Sequence, residues 1–395
     1  MSKSVVNGAH VVCTVILWHI LCTFSFRLEL SAGQRILPRQ GRIIDECKSL
    51  FNLPAVEQFC QERSLSEQHL KILYKTVMTS SHHDELEQRL LDNSFPRGHA
   101  ADLVTEFKLC TSSVVETFPS ASGGKKLLIE LESGRRIETV VIRHVTSRGV
   151  RYTVCVSSQV GCARACSFCA TGSMKLQAQL PSAVILEQVW LAASTLDHPI
   201  RNVVAMGGGE PFDNWNAVHE ACRGLTHQCL FGLAAKQVTI STVGASPRHI
   251  RLIAHECPQI SLALSLHGAT QELREQLMPK TAPLHELEAA LDYHAEHTQQ
   301  RIMIEYLLID GVNDRAQDAK ALSQFCHARR QMPFVNLIPY NPTRAGSMFS
   351  YSAPSDEDIN GFHNILLTQG IRSIVRWSSA AGRDANGACG QLIVE

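Results

Sequence analysis

Residues 154–172 read VCVSSQVGCARACSFCATG, an apolar strand-like run that ends in three cysteines, Cys162, Cys166 and Cys169, spaced C-x-x-x-C-x-x-C. Three thiolates on one short loop hold three irons of a [4Fe–4S] cube, which normally takes four cysteines, and leave the fourth iron open to a small molecule. Radical chemistry would start at that open iron. A structural zinc site is the alternative, but zinc takes four ligands, usually as paired knuckles, and no second pair follows at finger spacing.

Outward from this loop the chain keeps one rhythm. Apolar runs at 152–156, 202–206, 237–240, 260–264, 301–308 and 333–338 alternate with helical stretches, which predicts parallel strands joined by helices. Each run ends in a polar or glycine-rich motif. The cysteine loop follows the first, Gly207-Gly208-Gly209-Glu210-Pro211 the second and Ser241-Thr242 the third. Ser265-Leu266-His267 follows the fourth, Asp310-Gly311-Val312-Asn313-Asp314 the fifth and Tyr340-Asn341-Pro342 the sixth. In βα barrels the loops at the carboxyl ends of the strands build the active site, so all six motifs converge on one mouth. The expected fold class is α/β, a partial, open (β/α)6 barrel over 151–376.

Upstream, strands are expected at 126–132, 136–144 and 151–157, joined by turns at Ser133-Gly134 and Ser147-Arg148-Gly149, and 119–150 forms a β-hairpin extension. Residues 43–118 read as a small helical accessory domain, with helices at 53–62, 66–79 and 83–91 and no catalytic motif. Residues 377–395 form a glycine-rich terminal loop.

The first 42 residues are of another kind. The run 11–26, VVCTVILWHILCTFSF, carries no charge, and the stretch 27–42 holds four arginines and one acid. Sixteen apolar residues are short for a membrane span, so a presequence is expected, and no stable membrane association of the mature form. An oxygen-sensitive cluster is out of place in a secretory lumen, which points to a plastid or mitochondrion. A misassigned gene start, with a cytoplasmic product, is the alternative.

Composition bounds the rest. At 395 residues and 45% hydrophobic content the chain holds a sizeable core. A formal net charge of zero neither suggests nor excludes nucleic acid. The fourteen cysteines are scattered, dense only at 155–169, and fit a reducing compartment better than a disulfide framework.

Taken together, the cysteine loop, the GGEP segment, SLH, NLIPYNP and the terminal ACGQL resemble the RlmN/Cfr family of radical S-adenosylmethionine RNA adenine methyltransferases. The likeness runs from about residue 136 to the end. It implies that S-adenosylmethionine chelates the open iron, and that the enzyme methylates carbon 2 of an adenine in large-subunit ribosomal RNA; bacterial members also act on transfer RNA. It implies a one-electron donor such as flavodoxin or ferredoxin. Carbon 2 lies between two ring nitrogens and has no lone pair with which to attack a sulfonium methyl group, so the chemistry calls for a radical. Carbon 2 is reached only when the adenine is turned out of its stack, so a single-stranded or refolded RNA segment is expected.

The resemblance also assigns residues. Cys389, in Gly387-Ala388-Cys389-Gly390-Gln391, is the methyl carrier, although alone it reads as an ordinary free thiol. Cys155, seven residues before Cys162, matches the cysteine that releases the covalent RNA intermediate through a transient disulfide with the carrier; alone it reads as a buried strand residue. Glu138 shares a strand face with Val140 and Ile142, where an apolar side chain is expected, and matches the catalytic glutamate. A structural ion pair with a nearby arginine is the other reading of Glu138. Gly209, Glu210, Ser241, Ser265, Leu266, His267 and Asn341 match positions lining the cofactor, with Glu210 accepting from the methionine ammonium.

Three departures stand out. Lys175-Leu176-Gln177-Ala178-Gln179-Leu180 replaces the usual glycine-hydrophobic-x-Arg-Asn-Leu, which removes a basic side chain. The segment after Arg376 is longer than the family's, and the helical domain lacks the family's N-terminal signature. They leave the radical core intact and bear on the RNA target. Methylation at carbon 8, or a non-catalytic iron–sulfur RNA-binding protein, are the alternatives. Retention of Cys389, Cys155 and Glu138 together argues against the second.

Overall fold

The computed structural model describes residues 48–147, 149–377 and 390–392. The presequence-like segment and Cys389 therefore lie outside the described residues.

The described chain begins with four helices, α1 (Leu53–Glu62), α2 (Glu67–Thr79), α3 (Leu86–Asp92) and α4 (Arg97–Glu106). Asn52 caps α1 by accepting from the Ala55 amide at 3.3 Å, a contact worth about 1 kcal/mol. Leu53, Val56, Phe59 and Cys60 recur at helical spacing and form the buried face of α1. The helical region ends sooner than the sequence suggests, because Ser113–Pro119 is a strand, β1. Its SVVETFP alternates weakly and is largely exposed, so it offers little apolar signal.

Next come β2 (Lys125–Glu130), β3 (Arg136–Thr146) and β4 (Gly149–Cys155), an antiparallel run with β1. The cysteine loop then carries a small ribbon, β5 (Gln159–Val160) with β6 (Ala178–Gln179), around the short helix α5 (Ala170–Ser173). From there helix and strand alternate: α6 (Ser182–Ala193), β7 (Ile200–Ala205), α7 (Trp215–Thr226), β8 (Val238–Thr242), α8 (Pro247–Glu256) and β9 (Ser261–Ser265). After α9 (Gln271–Leu277) and α10 (Leu284–Thr298) come β10 (Met303–Leu308), α11 (Ala316–His327), β11 (Phe334–Pro339), α12 (Arg344–Ser347), α13 (Asp356–Thr368) and β12 (Ser373–Val375).

One sheet of ten strands results, ordered β1-β2-β3-β4-β7-β8-β9-β10-β11-β12. The hairpin extension is thus continuous with the barrel wall. From β4 to β12 every neighbour is parallel, so the α/β partial barrel holds, with β12 as a parallel strand beyond the six expected. At three residues, Ser373–Val375, β12 is too short to carry a pattern.

Period two separates two environments. Val203, Ile240, Leu264, Ile304 and Leu337 join the apolar helix faces in one core. Their neighbours Val204, Ser241, Ser265, Glu305 and Ile338 line a cavity on the inner side of the barrel. Helix α6 is buried along almost its whole length and uses its two buried polar residues as ties. Glu187 accepts from the Thr111 amide at 2.8 Å, which fastens the segment after α4. Gln188 accepts from Thr139 Oγ1 at 2.9 Å and the Ser157 amide at 2.8 Å, and donates to the Ser157 carbonyl at 2.9 Å, fixing the start of the cysteine loop against β3. Among the described residues no helix is long and apolar enough to cross a membrane.

Candidate active site

The cysteine loop is held from several sides. Ser167 donates its amide to the Leu277 carbonyl at 2.9 Å, at the end of α9. Thr343 Oγ1 donates to the Phe168 carbonyl at 3.0 Å, and the Ser167 and Tyr351 hydroxyls lie 3.0 Å apart. Arg164 makes a two-point ion pair with Asp213, its Nε donating to Oδ2 at 2.7 Å, and Nη1 donates to the Lys280 carbonyl at 3.1 Å. Gly161 has φ +72° and its Cβ would lie 1.8 Å from the Lys175 carbonyl oxygen, so only glycine admits the chain crossing there.

This framework turns Cys162, Cys166 and Cys169 into one cavity, whose interior admits the centres of water-sized molecules over about 220 Å³. Burial pushes the Cys162 thiol up to about 12 and raises Cys166 and Cys169 as well, so the apolar surroundings favour the protonated form until a cation arrives. Backbone donors already aim at sulfur: the Arg164 amide lies 3.4 Å from Cys162 Sγ, and the Gly172 and Thr171 amides oppose the rise at Cys169. Among the described residues no three His, Cys, Asp or Glu side chains converge as for a single metal ion. Three thiols spaced around a cavity, each offering one sulfur to a body larger than an ion, fit a [4Fe–4S] cube with one open iron.

The GGEP segment forms the adjoining wall. Gly209 has φ +105°, and a Cβ there would lie 2.7 Å from Gln159 Cβ and 2.8 Å from Ser158 Oγ. Gly209→Ala is accordingly expected to cost roughly 1–3 kcal/mol of stability and to weaken cofactor binding. Denaturant unfolding together with cofactor titration checks this, and an unchanged midpoint would show that the loop relaxes freely. Glu210 follows, fully buried: its Oε1 accepts from Thr242 Oγ1 at 2.7 Å and the Phe212 amide at 3.2 Å, and its Oε2 from the Val243 amide at 3.0 Å. Burial raises its carboxyl to about 7 against the pull of these donors. The carboxylate is thus fixed in place, close to a neutral-pH titration that a ligand ammonium would settle in favour of the charged form.

Ser241 and Ser265 face the same cavity with their hydroxyl oxygens 3.3 Å apart. His267, at φ +53°, lines it as well. Its Nδ1 accepts from the Leu307 amide at 3.0 Å and its carbonyl from Asn313 Nδ2 at 2.8 Å. Burial lowers the imidazole to about 3, so the ring is neutral and carries its proton on Nε2. Leu266 and Asn341 are different. Neither lines the cavity: Leu266 is buried behind it and offers its carbonyl to Arg274 at 2.7 Å, and the Asn341 amide turns back to the Pro339 carbonyl at 3.2 Å. Adjacency in a motif does not give adjacency in the pocket, because consecutive residues at a strand end point to opposite sides.

Cys155, at the end of β4, lines the cavity and packs with Val140 and Leu392. Burial holds its thiol up at about 12. Glu138 lies outside this cavity, in an adjoining depression that shares Thr171 and Leu392 with it. Its Oε1 is 2.6 Å from Lys126 Nζ, both groups being buried, so the ion pair expected with an arginine is made with a lysine of β2. The last described segment closes the site. Gly390 accepts from the Ala170 amide at 2.8 Å, Leu392 accepts from Thr171 Oγ1 at 2.6 Å, and both residues line the cavity.

Two charged residues of the site escape a reading of the sequence. Arg274 is 1% exposed and bridges the ends of β8 and β9, donating from Nη1 to the Leu266 carbonyl and from Nη2 to the Val243 carbonyl at 2.8 Å. Its charge opposes the rise at the Cys166 thiol, yet in sequence QELREQL looks like a solvated amphipathic turn. Glu305, by contrast, carries a signal: it is the single acid inside the apolar strand MIEYLL, the same anomaly that marks Glu138.

Residues 156–322 match the family model of the radical SAM superfamily. The chain is 38% identical to a probable dual-specificity RNA methyltransferase RlmN of Streptococcus mutans over 69% of this chain and 75% of that one. It is 36% identical to a protein of the same description from Listeria monocytogenes over 69% of this chain and 74% of that one. The crystal structure of a radical SAM methyltransferase from Sphaerobacter thermophilus superposes with a TM-score of 0.77 at 34% identity, covering 87% of this chain and 98% of that one. With the three-thiol cavity, the fixed Glu210 and the returning C-terminal segment already in place, these likenesses show that the chain belongs to the RlmN family of radical S-adenosylmethionine RNA methyltransferases, which use a [4Fe–4S] cluster and S-adenosylmethionine.

Proposed function

We propose that the enzyme methylates carbon 2 of an adenine in large-subunit ribosomal RNA, with Cys389 as methyl carrier, Cys155 as the releasing thiol and Glu138 as the base. The observation that carries this reading is the docking of residues 390–392 into the cluster cavity. Gly390, one peptide bond from Cys389, is bonded to the helix that follows Cys169, and Leu392 packs against Cys155. Cys389 precedes Gly390 in sequence, which supports it as the thiol that serves this cavity.

The protein's own groups have separable roles. Cys162, Cys166 and Cys169 would hold the cluster, and Glu210 would orient the methionine ammonium of the bound cofactor. The cluster with its bound S-adenosylmethionine supplies the radical that an electron-poor ring carbon requires. Lys126 Nζ, 2.6 Å from Glu138 Oε1, holds the side chain in place, and Ser157 Oγ fixes the strand by donating to the Glu138 carbonyl at 2.7 Å. The apolar wall of Val140, Val204 and Met206 keeps water away from reactive intermediates. The relatives are described as dual-specificity RNA methyltransferases, which supports transfer RNA as a second substrate. A low-potential one-electron donor of the flavodoxin or ferredoxin kind, and residence in a plastid or mitochondrion, complete the proposal.

The test is nucleoside mass spectrometry. Anaerobic enzyme, reductant, S-adenosylmethionine with a labelled methyl group and an unmodified large-subunit RNA fragment are expected to yield 2-methyladenosine. Formation of 8-methyladenosine would reassign the position, and cofactor cleavage without any methylated nucleoside would remove the RNA reading.

A further inference from the structure

The loop that follows β11 is firmly built, yet it leaves its largest apolar side chains in solvent. Met348 is 81% and Phe349 55% exposed, on the turn that leaves α12. Single exposed apolar residues are ordinary. These two differ because the segment under them is tied to three parts of the active-site rim. Thr343 Oγ1 donates to the Phe168 carbonyl of the cluster loop at 3.0 Å. Gln391 Nε2, in the returning C-terminal segment, donates to the Pro342 carbonyl at 3.1 Å, and the Asp310 amide, beyond β10, donates to the Ser352 carbonyl at 3.0 Å.

The turn is also forced into one shape. A Cβ at Gly346 would lie 1.9 Å from the Tyr340 hydroxyl oxygen, and Ser350 takes φ +56°, a left-handed conformation uncommon outside glycine. What this shape holds is an aromatic stack. Phe349 lies against Tyr351 with ring centroids 5.5 Å apart and planes 19° apart. The Tyr351 hydroxyl in turn lies 3.0 Å from that of Ser167, which stands between Cys166 and Cys169 in the chain. Two contacts thus lead from an exposed ring to the cluster loop. Arg344, which opens α12, is exposed and makes no ion pair among the described residues.

A half-covered ring in a fixed orientation, with an unpaired guanidinium a few residues away, suits an unpaired nucleotide. Every base offers a π face to the ring, and its phosphate offers a charge to the arginine. The substrate class is RNA, and an adenine that leaves its stack to be reached deprives its neighbours of a stacking partner. We infer that Phe349, with Met348 next to it, stacks on a base adjoining the turned-out adenine, and that Arg344 pairs with the RNA backbone there. The inference rests on RNA as the substrate and is independent of which adenine carbon is methylated.

Fluorescence anisotropy of a labelled large-subunit RNA fragment, with cluster-loaded enzyme and S-adenosylhomocysteine in place of the reactive cofactor, tests it without turnover. Phe349→Ala should bind about 5- to 100-fold more weakly, the range for loss of one base–aromatic stack, and Phe349→Trp should bind about as wild type does. Salt separates the two contacts. Phe349→Ala should keep the wild-type slope of log affinity against log salt, and Arg344→Gln should lower it by about 0.7, the share of one phosphate on a single strand. Iron content and circular dichroism of the variants should match wild type. Undiminished affinity in Phe349→Ala overturns the inference, and so does an equal loss in Phe349→Trp; an unchanged slope in Arg344→Gln strikes out the backbone contact. A wild type that sediments as a dimer, with Phe349→Ala monomeric and binding RNA normally, would give the patch to a second copy of the chain. A wild type that binds neither this fragment nor transfer RNA sinks the RNA reading itself, and the inference with it.

Discussion

Cys166→Ala is expected to remove the cluster and with it all cleavage of S-adenosylmethionine, while leaving the barrel folded. Cys166 is buried at the centre of its loop, but the loop is gripped through other atoms: the Ser167 amide on Leu277, the Phe168 carbonyl on Thr343, and Arg164 on Asp213. Deleting one sulfur should therefore cost about 1 kcal/mol, well below the stability of a domain this size. The cube fares differently, since two sulfurs cannot retain a body that normally takes four protein ligands. Anaerobically reconstituted wild type should be brown with about four irons per chain, and the variant colourless with less than about one. Circular dichroism of the two should coincide. A colourless wild type holding one zinc would sink the radical assignment.

The contrast between Cys166 and Glu305 shows what a sequence reveals. The cysteines are legible because three rare side chains at fixed short spacing admit few explanations, and the six strand ends are legible because apolar runs break at polar motifs. What stays hidden depends on the third dimension. Arg274 lies on a helix whose pattern fits a solvent face, and only the closure of α9 over the ends of β8 and β9 makes it a buried bridge between two carbonyls. Leu266 and Asn341 show the converse: both belong to motifs that face the mouth, yet neither is among the residues that line the cavity. Glu138 is intermediate. Its acid in an apolar strand marks a constrained carboxylate, but only the structure supplies Lys126 as the partner and the separate depression as its place. The strands β1 and β12 are missed for a simpler reason: one is exposed and the other short, so neither needs a hydrophobic signature.

The second large effect separates the two cysteines outside the cluster loop. Cys389→Ala is expected to abolish methylated RNA and any protein–RNA adduct, because it removes the sulfur proposed above to carry the carbon. Iron content and slow cofactor cleavage should persist, since residues 390–392 reach the cluster loop through backbone groups and Thr171. Cys155→Ala has a different expected outcome. Adduct formation requires a methylated carrier and a radical, and Cys155 supplies neither. In the release proposed above, the Cys155 thiolate attacks the Cys389 sulfur, the RNA-bound carbon leaves with the bonding electron pair and takes up a proton, and the two sulfurs join, so the missing thiol should stop the cycle with RNA held covalently through Cys389. The position of Cys155 on the cavity wall suits that role, because it packs against Leu392, three residues from the carrier in sequence. Denaturing gels of labelled RNA with both variants decide the matter. Methylation at the wild-type rate by Cys389→Ala refutes the carrier assignment, and normal turnover without adduct by Cys155→Ala makes Cys155 a packing residue of β4 and nothing more.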